Sequence, residues 1–419
     1  MKWFLLSLSC VLGAYLTTDA VAGKHTASSL FDEMDDLVYQ VRIIDRASDD
    51  KTTIGSGFQA DVTGHIATNF HVISLAAHEP KKYRITLLGN DDAEMEAEII
   101  AVDVLNDLAI LRPSKTRTSF IPIAENEPTK GGRIFSIGNP LDLGMSVVEG
   151  NFNGLVKASR FKRLLFSGSL NPGMSGGPAF NERGELIGIN VATGGDQISF
   201  LVPAARLQAL LRKLPSVNAA LLMESIEDEL YQEQDEFYKT QLNQSWEMRE
   251  FGELMLPHDL SPAMKCWGHN VDDEDTHYEA FHQHCESEEY IYLKDEFYTG
   301  NFSYDFEWMK TDSLNPLQFY TAVQERFDHR SPGNAYDEDD VTDFGCETQF
   351  VEIAEGAWRV STCLRRYKNF EKLYDASLVI VSLKANDRAA VVKMSATGAS
   401  RENSLAMFDK LIRSISWKK

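Results

Sequence analysis

The run Asn171-Pro172-Gly173-Met174-Ser175-Gly176-Gly177-Pro178 decides how the first half of this chain is read. Proline fixes φ at the first central position of a β-turn and glycine supplies positive φ at the second, so Pro172-Gly173 fits a type II turn. Such a turn can aim successive backbone N–H groups at one point. If those of Gly173 and Ser175 converge, they form an oxyanion hole, with the Ser175 hydroxyl beside it as a candidate nucleophile. Gly176 and Gly177 would let another backbone approach closely.

A serine hydroxyl needs a base, and the base needs an orienting group. His71, in Ala67-Thr68-Asn69-Phe70-His71-Val72-Ile73, follows a β-like run, and Asp107, in Asn106-Asp107-Leu108-Ala109-Ile110-Leu111, precedes an apolar strand. A carboxylate there can hold the imidazole tautomer and stabilise the imidazolium. Taken singly, these features also fit a packed histidine, a turn cap and an ordinary glycine turn. The order His, Asp, Ser with the full serine-centred octet is hard to assemble by accident.

Around these motifs, short β-rich runs recur between Gly, Asn and Pro from Leu37 to Pro203, including Val38–Ile44, Arg84–Leu88, Arg133–Ile137 and Leu186–Val191. This spacing predicts an all-β barrel or sandwich. Leu207, Leu210, Leu211 and Leu214 then mark one face of a closing helix.

The assembled motifs resemble the HtrA/DegP-type trypsin-like serine proteases. The resemblance runs from about Gly55 to Pro203 through Gly55-Ser56-Gly57-Phe58, the His71 and Asp107 segments, Gly138-Asn139-Pro140, the Ser175 octet, Gly188-Ile189-Asn190 and Phe200-Leu201-Val202-Pro203. It implies two six-stranded β-barrels with His71 and Asp107 on the first, Ser175 on the second and the site in the cleft between them. It also implies a pocket for the residue before the scissile bond near Ser169, Leu170 and Ala192. None of these is charged, which predicts small or medium apolar residues there. The backbone of Val191, Ala192 and Thr193 would offer an edge to an extended substrate. No metal or organic cofactor is called for.

The whole chain has 419 residues, 43% of them hydrophobic, and a formal charge of −22. That composition buries real cores, and so anionic a surface repels nucleic-acid phosphates. The charge is concentrated: residues 1–215 are nearly balanced at net −3, residues 216–350 carry net −25, and residues 351–419 carry net +6. The shift places a boundary near 215, giving a protease-like domain over 23–215 and an acidic domain over 216–419.

Residues 1–22 read as an export signal, with Lys2, an apolar run from Trp3 to Leu16 and the small-residue site Ala20-Val21-Ala22. The run is shorter than the roughly 20 residues a membrane span needs, so no stable span is expected and the chain reads as periplasmic or secreted. Removing the signal leaves Cys266, Cys285, Cys346 and Cys363, and two disulfides are the default in an oxidising compartment. Cys346 and Cys363 lie equally far from a turn at Ala354-Glu355-Gly356, favouring 346 with 363 and 266 with 285.

Beyond Pro215 the resemblance stops, and no PDZ-like pattern follows. Residues 218–250 look helical and acidic. Strands at Tyr290–Leu293, Phe302–Trp308, Leu378–Leu383 and Ala389–Met394, with helices at Pro316–Phe327 and Arg401–Ile415, make this half α+β. His258, His269, His277, His282 and His284 cluster in sequence with Cys266, Cys285 and Asp272-Asp273-Glu274-Asp275. A metal site is the sharper reading; a disulfide-closed acidic loop is favoured, because oxidation removes both thiolates. The Asp337-Glu338-Asp339-Asp340 run reads as a solvated turn.

The expectation is an exported serine endopeptidase acting on polypeptides, with protein quality control as its context by resemblance and homo-oligomerisation left open. The alternative is a latent trypsin-like scaffold that acts as a binding or chaperone-like protein through its C-terminal half.

Overall fold

A computed structural model describes residues 24–157, 159–214, 221–258, 260–272, 277–287, 289–328, 338–354, 356–383 and 385–418. The expected signal at 1–22, the expected helical residues 218–220, Asp273 to Asp275, Asp337 and Glu355 lie outside these. Helix α1 (Ala27–Met34) leads into a closed barrel of six strands: β1 (Val38–Asp45), β2 (Lys51–Gln59), β3 (Ile66–Thr68), β4 (Tyr83–Leu88), β5 (Glu94–Asp103) and β6 (Leu108–Pro113). Helix α2 (Phe70–His78) is inserted after β3. A second closed barrel follows, made of β7 (Arg133–Gly138), β8 (Ser146–Leu155), β9 (Leu164–Phe166), β10 (Pro178–Phe180), β11 (Leu186–Gly195) and β12 (Ile198–Pro203), and helix α3 (Ala204–Lys213) closes it. This is the double-barrel arrangement that the family resemblance implies.

Closure removes the sheet edges and lets inward residues fill the barrels. Val41, Ile43, Ile66, Leu87 and Ala109 are buried together with α2, while Phe58, Ile110, Phe135, Ile137, Ile189 and Val202 form a cluster that spans both barrels.

The rest of the chain begins with the long helix α4 (Leu222–Asn243) and a small sheet of β13 (Glu247–Phe251) and β14 (Leu254–His258). Strands β15 (Met264–Asp272) and β16 (Glu279–Ser287) precede a hairpin of β17 (Ile291–Lys294) and β18 (Phe297–Thr299). Strand β19 (Phe302–Lys310), helix α5 (Pro316–Asp328), strands β20 (Gly345–Ile353), β21 (Gly356–Arg366), β22 (Tyr374–Ser382) and β23 (Arg388–Ala399), helix α6 (Arg401–Ser414) and β24 (Ser416–Trp417) complete it. Seven of these strands form an antiparallel sheet in the order β15-β16-β19-β23-β22-β21-β20. Alternate side chains of a strand face opposite ways. Leu378 and Ile380 therefore pack with α6, and Val379 and Val381 with α5. Both faces of the sheet are covered, which makes this half α+β.

The structure corrects the single helix expected over 218–250: the described helix ends at Asn243, and Glu247–Phe251 is a strand. The cysteines are joined as Cys266–Cys285 and Cys346–Cys363, each pair directly opposed across two antiparallel strands.

The C-terminal half packs on the first barrel. Ile226 and Leu230 of α4, Ile291, Leu293 and Phe297 of the hairpin, and Phe370 and Leu373 share one buried cluster with Ile73, Ala76 and Ala77 of α2.

Candidate active site

His71 stands in the first turn of α2, one residue past Phe70. Its ring Nδ1 is 2.6 Å from Asp107 Oδ2, and its main-chain N–H donates to Asp107 Oδ1 at 2.8 Å. One carboxylate thus fixes both the backbone and the ring of the same residue. Asp107 is held in the left-handed region, at φ 58°. That conformation costs a non-glycine residue energy and persists where its surroundings impose it. Here Asn69 Nδ2 donates to the Asp107 carbonyl at 2.7 Å, and Asn106 donates from both its main chain and its side chain to the Asp103 carboxylate at the base of the loop. Burial opposes a charge on His71, but the Asp107 charge and hydrogen bond outweigh it and hold the imidazole pKa above its ordinary value.

Ser175 lies on the second barrel, at a corner of two successive turns. Met174 N–H donates to Asn171 O at 3.0 Å, and Gly173 takes φ 94°, so Pro172-Gly173 is a type II turn as the sequence required. Gly177 N–H then donates to Met174 O at 3.1 Å, with Ser175 at the first central position. The loop is locked from both barrels. Ser56 N–H donates to the Ser175 carbonyl at 2.7 Å, and Ser56 Oγ donates to Gly173 O at 2.8 Å while accepting from Asn139 N–H at 2.9 Å.

Two backbone amides of this corner, those of Gly173 and Ser175, are left over. Leu141 N–H donates to the Pro172 carbonyl at 2.8 Å. In a planar trans peptide the N–H points opposite the carbonyl, so Gly173 N–H is turned away from Leu141. Among the described residues, neither it nor Ser175 N–H donates to a protein acceptor. Two free amides beside a serine hydroxyl suit an oxyanion.

Gly55 joins the two halves of the site. A Cβ there would lie 2.5 Å from Val72, the residue after His71, and 3.2 Å from the Ser175 carbonyl. Only glycine lets β2 pass between them. Among the described residues, neither the Ser175 hydroxyl nor His71 Nε2 hydrogen-bonds to the protein, the looser state usual before substrate is bound.

The remaining expected residues are scattered. A cleft of about 1120 Å³ opens on His71 and takes Val191 into its wall, together with Phe200, but not Ser169, Leu170 or Thr193; the Ala192 side chain lies outside the described part. Leu170 is buried, Ser169 is exposed, and Thr193 Oγ1 caps the β11–β12 turn through Gly195 O and Ile198 O at 3.2 Å. Past Asn190, β11 pairs only with β12 among the described strands. Its other edge is open over Val191 to Thr193.

Sequence reasoning missed Phe161, Arg163 and the C-terminal groups of the cleft. Arg160, in the loop between β8 and β9, is clasped by Glu233 of α4 at 2.6 Å and by Gly300 O at 2.9 Å, and Glu289 accepts from Phe161 N–H at 3.0 Å. No motif in the sequence pairs residues so far apart.

The histidine cluster resolves into separate contacts. Asp305 lies 2.7 Å from His284 and 3.4 Å from His282, and although burial alone would raise its pKa, these partners hold it at about 2. His258 stacks near Phe251, and His269 lies against His282. Among the described residues no group of three His, Cys, Asp or Glu side chains is arranged to hold a metal.

Residues 55–189 match the family model described as a trypsin-like peptidase domain. The chain is 31% identical over 172 residues to a Brucella suis protein named "Probable periplasmic serine endoprotease DegP-like", covering 38% of this chain and 32% of that one. It is 34% identical over 149 residues to "Protease Do-like 1, chloroplastic" of Arabidopsis thaliana, covering 33% of each. Residues 55–189 are thus similar to the trypsin-like peptidase domains of DegP-like proteases. The crystal structure of the serine endoprotease from Yersinia pestis is 30% identical, with 45% of this chain and 66% of that chain covered and a TM-score of 0.40. The chain spans about a third of the length of the Brucella relative. Among the described residues no helix is long and apolar enough to cross a membrane.

Proposed function

We propose that the chain is an exported serine endopeptidase that cleaves peptide bonds through Ser175, His71 and Asp107. The observation that carries this reading is the double hydrogen bond from His71 to Asp107, set against a type II turn that presents Ser175 with two unbonded amides. Ser175 Oγ attacks the carbonyl carbon as His71 Nε2 takes its proton. The Gly173 and Ser175 N–H groups hold the oxyanion, the C–N bond breaks, and His71 returns the proton to the leaving amine. Water, activated by the same imidazole, then hydrolyses the acyl-enzyme. Asp107 keeps the Nδ1 proton in place and stabilises the imidazolium.

An extended polypeptide would add to the open edge of β11 at Val191 to Thr193. The uncharged Ser169, Leu170 and Ala192 favour a small or medium apolar residue before the scissile bond. The signal-like residues 1–22 and the periplasmic name of the Brucella relative support export, with clearance of damaged polypeptides as the role. The test is hydrolysis of an unfolded protein such as reduced casein by the mature chain. Wild type should release peptides and Ser175→Ala should release none; equal release by both would end this mechanism.

A further inference from the structure

We propose that the hairpin of β17 and β18 is the outer wall of the substrate cleft and selects polypeptides carrying Lys or Arg near the scissile bond, though not immediately before it. The inference rests on the endopeptidase reading above and names its substrate class.

The hairpin is fixed against the site. Ile291 and Leu293 are buried against α2, and the Leu293 carbonyl lies 3.0 Å from His78 Nε2. Tyr292 alternates to the other face, where its ring meets His71 edge-on at 6.0 Å and its hydroxyl accepts from Ser74 Oγ at 3.4 Å. Tyr298 stands edge-to-face with Tyr292 at 5.4 Å and with Tyr290 at 6.3 Å. Tyr290 is 46% exposed and Tyr298 41%. All three line the same cleft as His71. The partly exposed rings of Tyr290 and Tyr298, in a row with Tyr292 beside the base, offer surface to a cation and to the stem of a long side chain.

Charge points the same way. The C-terminal half contributes Glu286, Glu289 and Asp295 to this wall, against Arg163 as the one basic side chain among the lining residues. Glu289 is occupied by Phe161 N–H, and Arg163 has Asp107, Glu289 and Asp103 as charged neighbours. Lys294, next to Asp295 in the chain, is bound at 2.7 Å to buried Asp340. Asp295 is exposed and has no ion pair among the described residues, whereas Glu286 is engaged by His284 at 3.5 Å and by the Tyr290 hydroxyl. Aromatic faces plus the exposed Asp295 carboxylate hold Lys or Arg and repel Glu or Asp. Ser169 and Leu170 are not part of this wall, so the residue before the scissile bond remains under separate control.

The test uses quenched-fluorescent peptides of one sequence, with Lys, Gln or Glu placed at successive positions two to four residues from a fixed apolar cleavage site. Wild type should cleave the best Lys peptide with kcat/KM about tenfold above its Glu counterpart, the size expected of one exposed cation–π contact with a carboxylate. The ratio should shrink with added salt and fall close to one in Tyr298→Ala/Asp295→Lys. A wild-type ratio near one, a ratio that survives in the double variant, or a double variant that speeds all peptides equally would overturn the proposal. Binding of the same peptides to Ser175→Ala, read by fluorescence anisotropy, tests the wall without turnover. Tighter binding of the Lys peptide with no cleavage by wild type would locate the failure in the endopeptidase reading. Cleavage without charge preference would locate it in the wall.

Discussion

The Asp107 carboxylate accepts both the main-chain and the ring N–H of His71, so one side chain sets the position, the tautomer and the basicity of the imidazole. The ring must be neutral to take the Ser175 proton. Because Asp107 raises its pKa, hydrolysis should rise with pH along an acid limb centred above 6.5. Asp107→Asn should lower that midpoint and reduce kcat by about 10⁴, since the wrong tautomer is then held. A pH profile of kcat/KM for both proteins checks this; an unshifted midpoint would contradict the assigned role.

Glu229 of α4 accepts from Val104 N–H at 3.2 Å and lies against Asp103, at the base of the loop that ends in Asp107. Burial and the Asp103 charge push its pKa up to about 8. A raised carboxyl pKa gives stability that is complete below the ordinary glutamate value and is lost as pH rises through the folded value. Wild type should therefore lose stability relative to Glu229→Gln between about pH 4.5 and 8. Tm measured across that window for both proteins checks the sign, and a constant difference would contradict it.

His71, Asp107 and Ser175 could be proposed from sequence because each sits in a short local motif whose chemistry depends on order. Ser56, which ties the Ser175 loop to Asn139, was within a quoted motif, but its hydrogen bonds join residues 83 and 117 positions away and leave no local trace. Helix α2 was hidden because Phe70-His71-Val72-Ile73 is as apolar as a strand. Strand β5 was hidden in the opposite sense: Glu94-Met95-Glu96-Ala97-Glu98 alternates polar and half-buried positions and looks like a solvated loop. The cleft wall was least legible. Tyr290 to Leu293 was recognisable as a strand, but its placement over His71 follows from tertiary packing.

Arg160 and Glu233 join the β8–β9 loop to α4 through two hydrogen bonds, with both side chains largely buried and the guanidinium 4.0 Å above Phe237. Removing one partner leaves a buried charge unpaired, at a cost of about 3 kcal/mol. Glu233→Ala should lose stability of that order in chemical denaturation, and a loss below about 1 kcal/mol would show that solvent or another acid already serves Arg160.

Both disulfides tie opposed strands, with sequence separations of 19 and 17. Loops of that size contribute about 3 kcal/mol each by restricting the unfolded chain. Digestion of the unreduced protein should yield only the 266–285 and 346–363 pairs, and Cys346→Ser/Cys363→Ser should be destabilised by that amount. A crossed pair in the digest would contradict the strand register.

The central claim is an activated Ser175. The most direct test is treatment of the folded mature chain with a fluorophosphonate, read by intact mass and by mapping of the modified peptide, beside Ser175→Ala. One adduct on Ser175 in wild type and none in the variant is the predicted result. An unmodified wild type that is folded and oxidised would contradict it, and would favour a trypsin-like scaffold that binds polypeptides without cleaving them.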